Sequence, residues 1–147
     1  MGDFERDEHV MTKPKRTVAN LLSNPLHAIV GLDLLVTGLI LLTHQHYFFW
    51  PPWPEWITAI ENDSIVGFIG LCTGMGMIWW SMAKDKSIRA NRLLISTASA
   101  YYALLSMTEL MHGIFAPAGT PHMLLGGLSE IVMMLITLYM AKASPTR

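Results

Sequence analysis

Charge is scarce in this sequence, and long stretches of it carry almost none. Only 14% of the 147 residues are Asp, Glu, Lys or Arg, and 52% are hydrophobic, whereas soluble domains carry roughly 25% charged residues. The apolar residues are gathered into four long runs and do not follow the spacing of a soluble core. We therefore expect an integral membrane protein, because about 20 apolar helical residues cover the hydrocarbon core of a bilayer.

Cysteine and the common catalytic motifs are also missing or nearly so. The single Cys72 lies inside an apolar run, so the chain has no internal disulfide framework. It contains no nucleophile elbow, glycine-rich phosphate loop, cysteine pair or HExxH sequence. The net charge of −1 provides no basic field for nucleic acid. The sequence therefore predicts no catalytic residue, no cofactor and no nucleic-acid partner.

Lysine and arginine are absent from residues 44–56, which instead hold three of the five tryptophans and three prolines. Trp and Tyr prefer the membrane–water boundary, and proline cannot continue a helix. The segment predicts an aromatic elbow, where one transmembrane helix ends at an interface and the chain turns back. We expect residues 54–61 to form a short interfacial helix, with Trp56, Ile57 and Ile60 on one face.

The apolar runs and the turn signals between them predict an all-α bundle of four transmembrane helices, with short turns that make consecutive helices antiparallel neighbours. Asn24-Pro25 favours the start of the first helix, because Asn caps and Pro tolerates the first helical position. We expect a transmembrane domain over 25–142, between a polar tail over 1–24 and a short tail over 143–147. The predicted helices cover about 25–46, 65–83, 92–112 and 122–141.

The basic residues predict the orientation of this bundle. All ten lie in the N-terminal tail, in the middle turn or near the C-terminus, namely Arg6, Lys13, Lys15, Arg16, Lys84, Lys86, Arg89, Arg92, Lys142 and Arg147. None lies in the elbow or in residues 113–121. The positive-inside rule then places both termini in the cytoplasm and the elbow outside. We expect a multi-pass protein of the cell membrane.

Three acids lie inside the predicted helices: Asp33, Glu109 and Glu130. An ionisable group at membrane depth costs roughly 2.5–3.5 kcal/mol, so it usually faces the protein interior or a wet cavity. A rise of ~1.5 Å per residue puts Asp33 and Glu130 near the midplane and Glu109 about two turns towards the outer side. His112 lies one turn beyond Glu109 on the same face. The four residues are predicted to form a vertical series.

This series has two interpretations. In the first, the acids form a path for protons or cations, with Glu130 partly protonated at neutral pH because loss of water disfavours a charged carboxylate. In the second, they are neutral groups whose hydrogen bonds fix the packing of the bundle. The spacing of Glu109 and His112 is similar to that of ligands in four-helix di-metal proteins, but the second pair that such a site needs is missing. No metal site is therefore predicted.

The second predicted helix contains a GxxxG sequence formed by Gly70 and Gly74. In lipid, small residues let helix backbones approach closely and gain van der Waals contact. The two glycines are therefore predicted to lie at a helix-packing surface. Two alternatives remain, which are packing within one subunit and an interface between copies of the chain.

Three classes of function fit these features. The first is an oligomeric channel or membrane-permeabilising protein, which resembles holins in general form and is favoured by the glycine face and the lack of catalytic motifs. The second is a small proton- or cation-coupled transporter, or an accessory membrane subunit of a redox or transport complex. The third is an immunity-type protein that binds a partner helix. The expected partners are the lipid bilayer and either further copies of the chain or another membrane subunit.

Overall fold

The computed structural model describes residues 20–44 except Leu22, residue 59, residues 63–115 and residues 121–144. These residues are helical or connecting, and they contain no β-strand. The all-helical class is therefore confirmed for this part of the chain. The N-terminal tail up to residue 19 lies outside it, as do the interfacial helix predicted over 54–61 (apart from Ala59) and most of the aromatic elbow. The four helices are α1 (Pro25–Thr43), α2 (Ser64–Met82), α3 (Ile88–Phe115) and α4 (Pro121–Ala143).

Three stretches are long and apolar enough to cross a membrane, and they lie in α1, α2 and α4 over Pro25–Thr43, Ser64–Met82 and Met123–Ala143. Large apolar side chains such as Leu32, Phe68 and Leu125 are exposed on these helices, as lipid-facing residues are. The chain is therefore a small helical membrane protein. The helix α3, which was expected to be a fourth span, is not among the three. Its two arginines, its acid and its many hydroxyl residues lower its hydropathy.

Side-chain caps set the starts of the two central helices. The carboxylate of Asp63 accepts a hydrogen bond of 2.9 Å from the backbone N–H of Ile65 at the start of α2. The Ser87 hydroxyl accepts one of 3.3 Å from Ala90 N–H, so α3 begins at Ile88 and not near residue 92 as expected. It also continues three residues beyond His112.

The ends of α1 differ slightly from expectation. Asn24 occupies the N-cap position, but its side chain makes no capping hydrogen bond. Its amide NH2 group donates to Ser23 Oγ at 2.7 Å. At the other end α1 stops at Thr43, three residues before the predicted end. The Thr43 hydroxyl donates back to the Leu39 carbonyl at 2.9 Å, and His44 has left the helical conformation.

Glycine allows α1 and α2 to pack with their backbones in contact. Gly38 lies where an added Cβ would be 2.5 Å from Leu71 N and 2.6 Å from the Gly67 carbonyl oxygen. A Cβ on Gly74 would be 2.6 Å from the Gly31 oxygen. No side chain fits at either place. Since the early part of α1 lies against the late part of α2, the two helices form an antiparallel pair.

The helices α3 and α4 form a second antiparallel pair. Gly113 faces Leu124 near one end, and Ser99 donates a hydrogen bond of 2.8 Å to Thr137 towards the other. The two pairs contact each other less extensively than the helices within each pair. Buried side chains at their junction include Val30, Leu34, Met77, Tyr102 and Leu105.

Candidate functional site: the polar interior of the bundle

The helix α3 carries most of the polar side chains of the bundle interior. Asn91, Ser106, Thr108, Glu109 and His112 are all buried on it. Its large exposed side chains, such as Leu93 and Met107, lie on the opposite surface. The residues that make α3 the least apolar of the four helices are therefore the ones that it turns towards its neighbours.

Asp33 is paired with a tyrosine of α3. Tyr102 is completely buried, and its hydroxyl lies 2.8 Å from Asp33 Oδ2 and 3.3 Å from the Val30 carbonyl oxygen. Both groups can accept its single proton, and the shorter distance favours the carboxylate. This contact joins α1 to α3, so the acid that was expected in the interior is held there by a hydrogen bond between the two helix pairs.

Glu109 and Glu130 line one cavity. It has a volume of about 190 Å³ and is also lined by Thr37, Ser129 and Gly126. Each water molecule takes roughly 30 Å³ in the liquid, so the space can hold several waters between polar partners. Gly126 makes room for this arrangement, because a Cβ there would overlap the Glu109 carboxyl group.

The three acids are connected electrostatically through Glu130. Its carboxyl group interacts with the charges of both Asp33 and Glu109. Its Oε2 is buried and has no hydrogen-bond partner among the residues that the structure describes. The Tyr101 hydroxyl lies in the same region, near enough to Glu130 and Asp33 to be influenced by their charge. A polar interior therefore runs from Asp33 and the two tyrosines to the cavity.

His112 lies beyond this cavity and does not line it. Its ring is completely buried, and Nδ1 is 2.9 Å from the Thr108 carbonyl oxygen one turn earlier. Of the four residues of the predicted series, the structure thus brings Glu109 and Glu130 together and holds Asp33 within electrostatic reach. It sets His112 one turn further along α3.

The carboxyl groups do not converge on a single point. Within the described part of the chain, no group of three His, Cys, Asp or Glu side chains is arranged to hold a metal ion. Glu109 and Glu130 line the same cavity, and Asp33 does not line it.

Gly70 and Gly74 face the interior of the chain. A Cβ on Gly70 would lie 2.5 Å from the Tyr101 hydroxyl oxygen and 3.2 Å from the Gly38 Cα atom. A Cβ on Gly74 would meet the backbone of Leu35 at 2.6 Å. The surface that carries both glycines is therefore occupied by α1 and α3, so packing within the subunit uses it and leaves no room for a second copy.

Sequence reasoning assigned no role to a polar network at the other end of the bundle. His27 Nε2 is 2.7 Å from Asn91 Oδ1, and the Asn91 amide donates to Ser144 Oγ at 2.9 Å. The His27 ring stacks on Trp80, with ring centroids 4.4 Å apart. The sequence did hold a signal for this network. A histidine near the start of α1 and an asparagine near the start of α3 both lie close to the predicted cytoplasmic boundary of the membrane.

Comparison with protein families, with curated proteins and with solved structures finds no match for this chain.

Proposed function

We propose that this chain is a four-span membrane protein with both termini in the cytoplasm, and that it moves protons through the polar interior formed by Asp33, Glu130 and Glu109. The observation that carries the proposal is the shared cavity of Glu109 and Glu130, with Asp33 in electrostatic reach. Three acids from three different helices lie in one region of the interior, in a molecule whose helices expose large apolar side chains. Acids within membrane segments mark ion pathways and proton relays.

The position of α3 supports a fourth span. It packs along α4, which contains one of the three candidate spans, and it hydrogen-bonds to α1 at two successive levels. A helix packed along a candidate membrane span in this way is expected to cross the same bilayer. Polar side chains that lower the hydropathy of α3, such as Ser106 and Glu109, are buried against the other helices, so they do not face lipid. The basic residues at the turn between α2 and α3 then support a cytoplasmic location for both termini.

Packing favours a relay of protons over an open pore. Val30 and Leu34, which flank Asp33 in the sequence of α1, are completely buried in the hydrophobic core. Protons can pass through such an interior by way of carboxyl, hydroxyl and water groups, whereas a hydrated ion needs a continuous channel. A relay also needs no contact between the three carboxyl groups.

The other classes of function have less support. A holin-like channel of several copies would need an interface, and the glycine surface that first suggested one is used within the chain. An accessory subunit of a redox or transport complex keeps the same proton chemistry and differs only in its partner. An immunity-type role would rest on lipid-facing side chains, which any membrane helix has.

Reconstitution into vesicles tests the proposal. The vesicles would contain a pH-sensitive dye and carry a potassium gradient, so that valinomycin sets a membrane potential. We expect wild-type protein to increase proton uptake and Glu130→Gln to return it to the level of protein-free vesicles. Glutamine keeps the shape and the hydrogen bonding of the side chain but cannot bind and release the proton.

Asp85→Asn is the matched control, because it makes the same chemical change at an exposed residue of the turn. It should keep wild-type flux. If wild-type vesicles take up protons no faster than empty ones, proton transport is wrong. If Glu130→Gln carries wild-type flux, the acid has only a structural role.

A further inference from the structure

A second and larger cavity lies at the end of the bundle that carries the described basic residues. Its volume is about 450 Å³, within the range of small-molecule sites. The start of α1, the end of α2, the start of α3 and the end of α4 all contribute to its walls. Apolar walls come from Leu26, Ile88 and Met140, and polar groups come from His27, Asn91 and Ser144.

Charge in and around this cavity is almost entirely positive. Lys86 is the charged side chain among the described lining residues. The neighbouring basic residues Lys84, Arg89, Arg92 and Lys142 lie at the same end, and Asp85 is the acid among them. The Lys86 ammonium lies 5.1 Å from the centre of the Trp80 ring, which lines the cavity below it. An anionic group would find a cation here and, among the lining residues that the structure describes, no carboxylate to repel it.

The aromatic residues place this cavity at the level of a membrane–water boundary. Trp80 donates its indole N–H to the Ser87 carbonyl oxygen at 3.0 Å, in the turn outside the apolar helix. Tyr139, on the wall formed by α4, is 63% exposed on the outer surface of the bundle. Tryptophan and tyrosine are enriched at this depth. A ligand can therefore enter from the lipid headgroup layer.

We propose that this cavity binds the phosphate headgroup of an anionic phospholipid, with the phosphate next to Lys86 and one acyl chain along Leu26 and Met140. His27, Asn91 and Ser144, which hydrogen-bond to one another, give the glycerol portion a polar wall to lie against. Basic pockets between transmembrane helices on the cytoplasmic side bind such headgroups. This assignment is independent of proton transport by the acids, which lie in the other cavity.

Quenching of tryptophan fluorescence by brominated lipids tests the site. The full-length protein would be placed in bilayers that contain a small fraction of either brominated phosphatidylglycerol or brominated phosphatidylcholine. The contribution of Trp80 is obtained by subtracting the signal of Trp80→Phe. We expect half-maximal quenching of Trp80 at a mole fraction of brominated phosphatidylglycerol about five-fold lower than that of brominated phosphatidylcholine. This ratio corresponds to the attraction of one basic residue for an anionic lipid, which is about 1 kcal/mol.

Two matched variants separate a site from general attraction. Lys86→Gln should abolish the preference for phosphatidylglycerol, whereas Lys84→Gln, which changes an exposed lysine outside the cavity, should keep it. Trp79 is 74% exposed on the bundle surface and should be quenched equally by both lipids. Equal quenching of Trp80 by the two lipids would overturn the proposal. Loss of the phosphatidylglycerol preference in Lys84→Gln to the same extent as in Lys86→Gln would also overturn it.

The source of the phosphate is tested in the same bilayers. Soluble glycerol phosphate, added at the concentration of the anionic lipid, should leave the quenching of Trp80 unchanged, because it lacks the acyl chain that Leu26 and Met140 contact. Relief of the quenching would assign the cavity to a free phosphate ester and contradict the lipid assignment.

Discussion

Two adjacent tyrosines on α3 differ in one respect, which is whether the hydroxyl has a partner. The Tyr102 hydroxyl hydrogen-bonds to Asp33, while the Tyr101 hydroxyl is buried without a hydrogen-bond partner in the part of the chain that the structure describes. We predict that Tyr102→Phe lowers the free energy of unfolding by about 0.5–2 kcal/mol, the range for a buried hydrogen bond in a membrane protein. Tyr101→Phe should change it little or raise it. Unfolding in mixed micelles, followed by circular dichroism, measures both variants.

Tyr101→Phe is the control for Tyr102→Phe, because both variants remove one hydroxyl group and keep the aromatic ring and its packing. An equal loss of stability in the two variants would show that Asp33 is not the partner of Tyr102 or that Tyr101 has one.

The residues of the polar interior could be selected from the sequence because an acid in an apolar run is costly. Their partners could not. Helix periodicity gives the face on which Asp33 lies, but the rotation of α1 against α3 decides that Tyr102 meets it. Nothing in the pattern of α4 indicates that Gly126 leaves space for Glu109. His27 was passed over for a similar reason, since its neighbours Trp80 and Asn91 are more than 50 residues away.

At the scale of the helices, close packing of α1 against α2 depends on glycines that meet backbone. We predict that Gly38→Ala destabilises the fold by about 1–3 kcal/mol, the usual effect of overpacking. The added Cβ meets Leu71 N and the Gly67 oxygen, which cannot move without separating the helices. The same unfolding measurement applies.

Gly76→Ala is the control for this substitution. A Cβ there would meet only the end of the flexible Leu94 side chain, at 2.8 Å from Cδ2. The side chain can turn away, and alanine favours the helix by about 1 kcal/mol over glycine. Similar destabilisation by both variants would contradict the backbone contact between α1 and α2.

Helices were predictable from hydropathy where they are uniformly apolar, as in α1, α2 and α4. The limits of α3 were not, because Arg89, Asn91 and Arg92 are polar on a segment that nonetheless continues as helix from the Ser87 cap. The sequence also could not decide whether Gly70 and Gly74 pack within one subunit or between copies of the chain. A GxxxG sequence indicates a close helix approach but does not say whether the partner helix belongs to the same chain.

At the scale of the whole molecule, the positions of the basic residues predict that both termini lie in the cytoplasm. In a Cys72→Ser background, we expect Asn62→Cys and Gly119→Cys to react with a membrane-impermeant thiol reagent added to intact cells. Ser87→Cys, in the turn with Lys84 and Lys86, should react only after the membrane is opened. Labelling of Ser87→Cys alone in intact cells would reverse the orientation. Labelling of Gly119→Cys from the side of Ser87 would show that α3 does not cross the membrane.

The most direct test of the proton path measures whether Glu109 and Glu130 act together. Vesicles with Glu109→Gln, with Glu130→Gln and with both changes would be compared for potential-driven proton uptake. Since both acids line one cavity on one path, each single variant should fall to the level of protein-free vesicles, and the double variant should lose nothing more. Wild-type flux in either single variant, or separate partial losses that multiply in the double variant, would contradict a single path through the cavity.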